Sequence, residues 1–392
     1  MGADDRPAAK AFHSTLASLC LALALALAGA VPAYATGIVV NDLGDATGTC
    51  ATTGTGTCTL RDAMTFASSN AGPDSITFGV SGTIKLGSTL PVVDDPLTID
   101  GAGRSVTISG NNSVQVMLLN GGSPLTLNAL TIADGFTGGP GAGIYNPSGG
   151  SLTVTNSTFT GNFCGGVGAA ITMGGTLSIT NSTFFNNGFI FAIWAQPGTV
   201  TITNSTIDGN VGGFALAGGT ATITNSIVAG NGGSNCGVFL GTLTDGGHNI
   251  EDGTTCGFQG ATCPTTTGSS FCNTDPRLDP ADLQDNGGST QTLAVCTAAG
   301  TPTGCNAASP AINAGNQAVC GESPVNDLDQ RGFVRPGRGS ANCTIGAFEA
   351  NGEPPGPAEK LPAPAMSAWG LTAMAILLVV SGTLVLVRRT HS

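Results

Sequence analysis

The segment Leu152-Thr153-Val154-Thr155-Asn156-Ser157-Thr158-Phe159-Thr160-Gly161-Asn162 recurs as Leu177 to Asn187, Val200 to Asn210 and Ala221 to Asn231. A degenerate copy runs from Leu125 to Gly135, and successive copies start 27, 25, 23 and 21 residues apart. Each copy carries two apolar residues at period 2, then Asn, then another apolar residue three positions on. Period-2 apolar residues on short β-prone runs mean strands with one buried face. A unit this short cannot bury that face alone, so neighbouring units must stack. The arrangement expected is a right-handed parallel β-helix, with about three short strands per coil and coils rising by roughly 4.8 Å. Leu152/Leu177/Val200, Val154/Ile179/Ile202/Ile223 and Phe159/Phe184/Ile207/Val228 should stack in register inside it. Asn156, Asn181, Asn204 and Asn225 fall where the chain must bend. Asn tolerates left-handed geometry, and stacked Asn side chains can form a hydrogen-bonded ladder along the axis.

Composition supports the solenoid and removes other classes. Only 9% of the 392 residues are charged and 61 are Gly. That fits neither a coiled coil nor a helical bundle. A formal net charge of −12 argues against nucleic acid as a partner. The body expected is all-β, with the β-helix over residues 76–245, a short N-terminal cap over 36–75 and a cysteine-rich segment over 246–350. The cap should hold a short helix from Cys58 to Asn70, because Leu60, Ala63, Met64 and Ala67 follow helical spacing.

The two ends read as addresses. Residues 1–35 have the layout of a secretory signal. Arg6 and Lys10 precede an apolar run from Leu16 to Val31, and Ala33 and Ala35 form a small-x-small cleavage site. A Pro/Ala linker over 351–365 leads to 366–392, where Met366 to Val387 is long enough to span a bilayer. Arg388 and Arg389 follow it and should stay cytoplasmic, leaving the body outside the membrane. The expected localisation is exported, at the membrane or cell surface, with the secretion machinery as a necessary partner.

Three resemblances sharpen this reading. Pro364, Trp369, Gly370, Arg388 and Arg389 resemble the IPTL-CTERM sorting signal of Gram-negative bacteria, with Met366 at a Leu position. That resemblance implies an exosortase-like sorting peptidase as a partner. Cys58-Thr59-Leu60-Arg61-Asp62-Ala63-Met64 resembles the CSLREA segment, which marks the N-terminal side of surface β-helix proteins. Gly247 to Ile250, Asp275 to Leu278, Asp285 to Thr292, Ser309 to Gly315, Asp329 to Gly332 and Cys343 to Glu349 resemble the choice-of-anchor Q domain. None of these families implies a reaction. The fold expected from them is pectin-lyase-like.

Of 12 cysteines, Cys20 lies in the leader, leaving 11 in the mature chain. Cys50 and Cys58 close a short loop and form a candidate disulfide, and Cys164 stands alone. The eight from Cys236 to Cys343 allow 105 connectivities. No CxxC spacing occurs, so no metal site is expected.

Enzymatic chemistry finds little material. There is no Lys or Arg from Ser105 to Thr274, and the acids between Ser105 and Thr244 are Asp134 and Asp208. Three coils apart, those two should lie about 14 Å from each other, too far to share a glycosidic bond. Asp94-Asp95 reads as a turn and His248 as structural. Asp275, Asp279, Asp282 and Asp285 read as a solvated acidic loop, with calcium the weaker alternative. Asp327, Asp329, Arg331 and Arg335 form the densest charged group and should pair at the surface, worth about 0–1 kcal/mol each. The sequence therefore favours a binding, adhesion or scaffold module that meets glycans or other cell-surface molecules, with no catalytic residues, cofactor or metal expected. A polysaccharide lyase or hydrolase with its site in the C-terminal cap is the alternative.

Overall fold

A computed structural model describes residues 37–50, 56–70, 72–147, 149–258 and 270–356. Ala33, Ala35, Pro364, Trp369, Gly370, Arg388, Arg389 and the apolar run Met366 to Val387 lie outside them. Among the described residues no helix is long and apolar enough to cross a membrane.

Two parallel sheets face each other across one apolar interior. The larger runs Gly37–Val40, Asp74–Phe78, Leu97–Asp100, Pro124–Asn128, Ser151–Thr155, Ile171–Thr180, Ile193–Thr203, Phe214–Thr224 and Cys236–Asp245. The smaller has seven strands, from Gly82–Lys85 through Thr158–Thr160 and Thr183–Phe185 to Ile227–Ala229. Every step along both sheets is parallel and advances one coil, which is a β-solenoid.

The apolar columns stack as the repeat requires. Leu152 pairs with Leu177 and Leu177 with Val200, while Val154, Ile179, Ile202 and Ile223 form the adjoining column. In the smaller sheet Phe159, Phe184, Ile207 and Val228 follow one another, and all are buried. The Phe159 and Phe184 rings stack 4.8 Å apart at 8°. The third strand of each coil does not persist. Ile144–Asn146 and Ser151–Thr155 are separate, yet both pair with the single strand Ile171–Thr180. The intervening turn has shrunk to a bulge at Gly174 and Gly175.

Asn156, Asn181, Asn204 and Asn225 all take left-handed φ, between 46° and 51°, so the bend falls where the repeat places it. Their side chains do not form the expected ladder. Asn156 donates to Asn128 Oδ1, Asn181 to the Leu328 carbonyl, Asn204 to Cys320 Sγ and Asn225 to the Asn316 carbonyl. The buried Oδ1 atoms of Asn181 and Asn204 have no hydrogen-bond partner among the described residues. The reason is direction: from Asn181 onward this column points out of the coil into the C-terminal segment.

The ladder is formed by the other asparagine of the repeat. The Nδ2 atoms of Asn162, Asn187 and Asn210 each donate to Oδ1 of the next copy, at 2.9, 3.0 and 3.0 Å, ending at Asn231. The backbone N–H of each also donates to the same acceptor. A serine column runs beside it. Each of the N–H groups of Ser157, Ser182 and Ser205 donates to the hydroxyl of the next serine, ending at Ser226.

The N-terminal cap is a nine-residue helix, Leu60–Ser68, which begins on a Thr59 cap and buries Leu60, Ala63, Met64 and Ala67. Arg61 ties it to Asp45 and to the Ser88 and Thr89 carbonyls. Cys50 and Cys58 form a disulfide beside it. The sheet itself starts earlier than residue 76, because Gly37–Val40 pairs in parallel with Asp74–Phe78. It also outlasts residue 245: parallel bridges join Ile227 to Ile250 and Ile250 to Phe271.

The C-terminal segment does more than end the solenoid. It lies back along the coils as a strap, and Gln330 reaches Thr158 and Thr183 on two successive coils. Disulfides Cys236–Cys256, Cys296–Cys305 and Cys320–Cys343 hold this region, Cys272 is also disulfide-bonded, and Cys164 is a buried free thiol.

The ladder assignment gives an expected outcome. Asn187→Ala removes the acceptor of the Asn162 amide and three donor contacts in the interior. It should destabilise the fold by roughly 3 kcal/mol in chemical denaturation, whereas Asn156→Ala should cost about 1 kcal/mol. Equal losses would return the ladder to the Asn156 column.

Candidate functional site

The densest charged group folds inward. Asp329 Oδ2 accepts from Arg331 Nε and Nη2 at 2.8 and 2.6 Å and from the Glu349 N–H at 2.9 Å. Its Oδ1 accepts from the Arg331 and Phe333 N–H groups. The Arg331 guanidinium lies 4.2 Å from the Phe333 ring centre and 3.8 Å from that of Phe348. Arg335 is fully buried. It donates to Glu349 Oε2 at 3.1 Å and to the Leu328, Thr344 and Gly346 carbonyls. Glu349 also accepts from the Gly337 and Thr344 N–H groups and from the Thr344 hydroxyl. Burial lowers the Arg335 pKa, against the pull of Glu349 and Asp329.

These pairs are therefore interior, not the surface pairs expected, because the strap presses them against the coils. Breaking one partner of such a pair is expensive, unlike breaking a surface pair. Asp327 joins through its backbone, its carbonyl accepting from the Arg335 N–H at 2.7 Å, while its side chain accepts from Gln317. The lone pairs and protons of this network are taken up by neighbouring groups.

The remaining candidates are dispersed. Asp134 follows the strand Thr131–Ala133 and accepts from the Ser109 hydroxyl at 3.0 Å. Its neighbour Ala133 and Asp208 stand three strand steps apart in one register column, Ala133–Thr160–Phe185–Asp208. The ~14 Å separation follows from that spacing. Asp94 and Asp95 line a crevice of only about 10 Å³, room for a single water. His248 donates from Nδ1 to the Ala314 carbonyl at 2.8 Å, at the edge of a polar cleft of about 300 Å³. Asp275, Asp279 and Asp285 each accept an N–H from two residues on and so close their own turns.

Two carboxyls have unusual proton affinity: Asp208, weighed from the sequence only as a distant partner of Asp134, and Glu251, not singled out there. Burial pushes Asp208 up to about 7, with Asp252, Asp282 and Asp275 adding in that order. Gly230 makes room for it: a Cβ there would stand 2.3 Å from Asp208 Oδ1. Burial likewise pushes Glu251 up to about 7 against the Cys256 N–H, with Asp252 and Asp245 adding to the rise. Glu251 Oε2 accepts that N–H at 2.8 Å, while Oε1 has no partner among the described residues. Its carboxylate lies within 4.8 Å of the sulfurs of Cys236 and Cys256, but those sulfurs are joined as a disulfide. Glu251 carries no periodicity or motif, so only its place in the last coil exposes its role.

The solvent-facing feature that stands out is apolar. Phe136, Phe163 and Phe189 are exposed on the loop side of successive coils, Phe163 by 48%. Phe136 and Phe163 stack 6.2 Å apart, and Phe189 meets Phe163 edge-on at 6.1 Å. Phe189 holds φ 127°, a costly conformation for an aromatic residue. Nearer the last coil Ile190, Val211, Val238, Phe239 and Leu240 are also exposed. Phe239 packs on Trp194 at 5.2 Å and on Phe191 at 6.1 Å. Contiguous exposed apolar surface marks an interaction face more often than chance. Its trace in the sequence was faint: Phe163 directly follows its ladder asparagine, whereas Phe189 stands two residues after its own.

Two tests follow. Arg335→Met should destabilise the fold by about 3–5 kcal/mol by stranding Glu349, and adding Glu349→Leu should recover much of that loss in denaturant titration. For Glu251 and Asp208 the folded pKa is raised, so their contribution is full below about pH 4 and is lost as pH rises through about 7. Stability should therefore fall between about pH 4 and 7, and Glu251→Gln should flatten that fall in melting curves. Parallel profiles for the two proteins would reject the assignment.

Residues 100–260 match the family described as "Right handed beta helix region". No curated protein matches the chain. Among solved structures the chain is similar to Jun a 1, the major allergen from cedar pollen, at 13% identity, 59% coverage of this chain, 81% of that chain and a TM-score of 0.31. The matched region and the parallel coil-by-coil topology make this an all-β, right-handed parallel β-helix protein of about seven turns.

Proposed function

We propose that this chain is an exported, cell-surface-anchored β-helix protein that works as a non-enzymatic binding, adhesion or scaffold module. The observation that carries the reading is the disposition of charge. Asp329, Arg331, Arg335 and Glu349 are used up inside the strap, while the loop side offers an uncharged wall with exposed aromatics. Such a wall suits contact with glycans or other surfaces, and it concentrates no acid or base. The disulfides support an oxidising compartment. Export through residues 1–35 and sorting of 366–392 by an exosortase-like peptidase complete the proposal. The CSLREA, choice-of-anchor Q and IPTL-CTERM resemblances point to the same address.

A second reading rests on Asp208. A carboxyl poised near neutrality is what a general acid needs, so a glycan-cleaving activity at Asp208 is the alternative.

A screen of the purified protein on a polysaccharide panel separates the two. The expected result is retention on immobilised glycans or host surfaces without release of sugar or unsaturated product. Turnover that disappears in Asp208→Asn would establish the enzyme instead.

A further inference from the structure

A polar cleft of about 300 Å³ opens where His248, Phe271, Asn313, Asn316, Gln317 and Asn342 meet. No carboxylate, lysine or arginine lines it among the described residues. Its walls are tied together. The Cys320–Cys343 disulfide joins the short helix Gln317–Gly321 to the segment that carries Asn342. Asn225 holds Asn316 twice, its Oδ1 accepting the Asn316 N–H and its Nδ2 donating to the Asn316 carbonyl. Asn313 Oδ1 accepts the N–H groups of Ala341 and Asn342 at 2.9 and 2.7 Å. A site held this way loses little freedom when a ligand enters.

The same bonds decide what each polar group has left to offer. His248 Nδ1 donates to the Ala314 carbonyl, so in the neutral ring Nε2 is an acceptor. The Oδ1 of Asn313 is engaged, and that of Asn316 accepts the Ala318 N–H, so each of these residues offers its amide NH2. Gln317 Nε2 donates to Asp327 and Asn342 Nδ2 to the Asn313 carbonyl, so each of these offers its side-chain oxygen. Gln317 Oε1 is buried with no partner among the described residues. The lining thus combines amide donors, three acceptors and the half-buried Phe271.

That balance selects a ligand class. An anion needs donors and a cation needs acceptors, whereas a hydroxyl both gives and takes a hydrogen bond. Nothing in the lining supplies the positive charge that a phosphate, sulfate or uronate would want, and a chain of net charge −12 repels them. We propose that this cleft binds a neutral sugar ring at the end of a glycan chain, through hydrogen bonds to its hydroxyls and packing of its C–H face against Phe271. The volume stands at the low end of ligand sites, roughly 300–1,000 Å³, which suits a chain end better than a run of polymer. The proposal rests on the glycan-binding reading and gives it a site built from residues other than the loop-side aromatics.

Calorimetric titration of the full chain with neutral disaccharides of glucose, galactose, mannose and N-acetylglucosamine, and with digalacturonate, tests it. At least one neutral disaccharide should bind, and digalacturonate should bind more weakly. Asn342 is exposed and its side chain gives up only a 3.5 Å contact, so Asn342→Ala should keep its circular dichroism and lose about tenfold in affinity. Asn342→Arg should fill the cleft and abolish binding. His248→Asn, which keeps a residue tolerant of the left-handed φ of 57°, should weaken binding as well. Affinity unchanged in both Asn342 variants, a loss confined to Phe163→Ser, or digalacturonate bound as tightly as the neutral sugars would overturn the proposal. So would a parent that binds none of the neutral disaccharides, and its retention on immobilised polysaccharide would then show that the glycan reading survives without this site.

Discussion

A backbone N–H at the corner of a coil has no strand partner, and leaving it buried and unpaired costs about 1–3 kcal/mol. In this solenoid the next coil supplies the acceptor. Ser182, Ser205 and Ser226 take the N–H of the serine one coil before, and Asn187, Asn210 and Asn231 do the same for the asparagine column. The apolar columns could tolerate a slip between similar residues. The polar ladders cannot, because a shift of one position strands a donor at every corner. Register thus rests on the small polar residues, and the interior stacking of Phe159 on Phe184 follows from it.

A chain with 9% charged residues has few ionisable groups to place. The strap consumes the most concentrated set in holding itself to the coils through Asp329, Arg331, Arg335 and Glu349. Glu251, buried, and Asp208, half-buried, remain as carboxyls of raised pKa, one beside a disulfide and one beneath Gly230. Desolvation raises both, and neighbouring acids add to the rise.

Much of the fold was legible because the repeat states it directly. Spacing alone predicts the Leu152–Leu177–Val200 column, the bend at Asn156 and the buried face of the Leu60–Ser68 helix. The ladder was misplaced because both asparagines of the repeat recur at the same offset. Periodicity says that two positions align, and it is silent on which side chain points along the axis. The surface pairing expected for Asp329 and Arg331 failed for a related reason. Neighbours in sequence reveal a loop, while the groups that enclose the pair lie farther along the chain, Glu349 and Phe348 on one side and Asn286 on the other. Phe163 and Phe189 fall outside the aligned repeat positions, so periodicity does not speak to their exposure.

The strap changes how the molecule holds together over time. A solenoid whose coils touch only their neighbours can fray from either end, one repeat after another. Here Gln330 bridges Thr158 and Thr183, and Asn225 grips Asn316. A contact 172 residues apart in the chain can close only after the intervening coils have formed. Its closure therefore acts as a checkpoint on assembly, and once made it converts a stack of independent steps into one cooperative unit. Tension applied at the C-terminal end would meet the Arg335–Glu349 knot before it reached any coil.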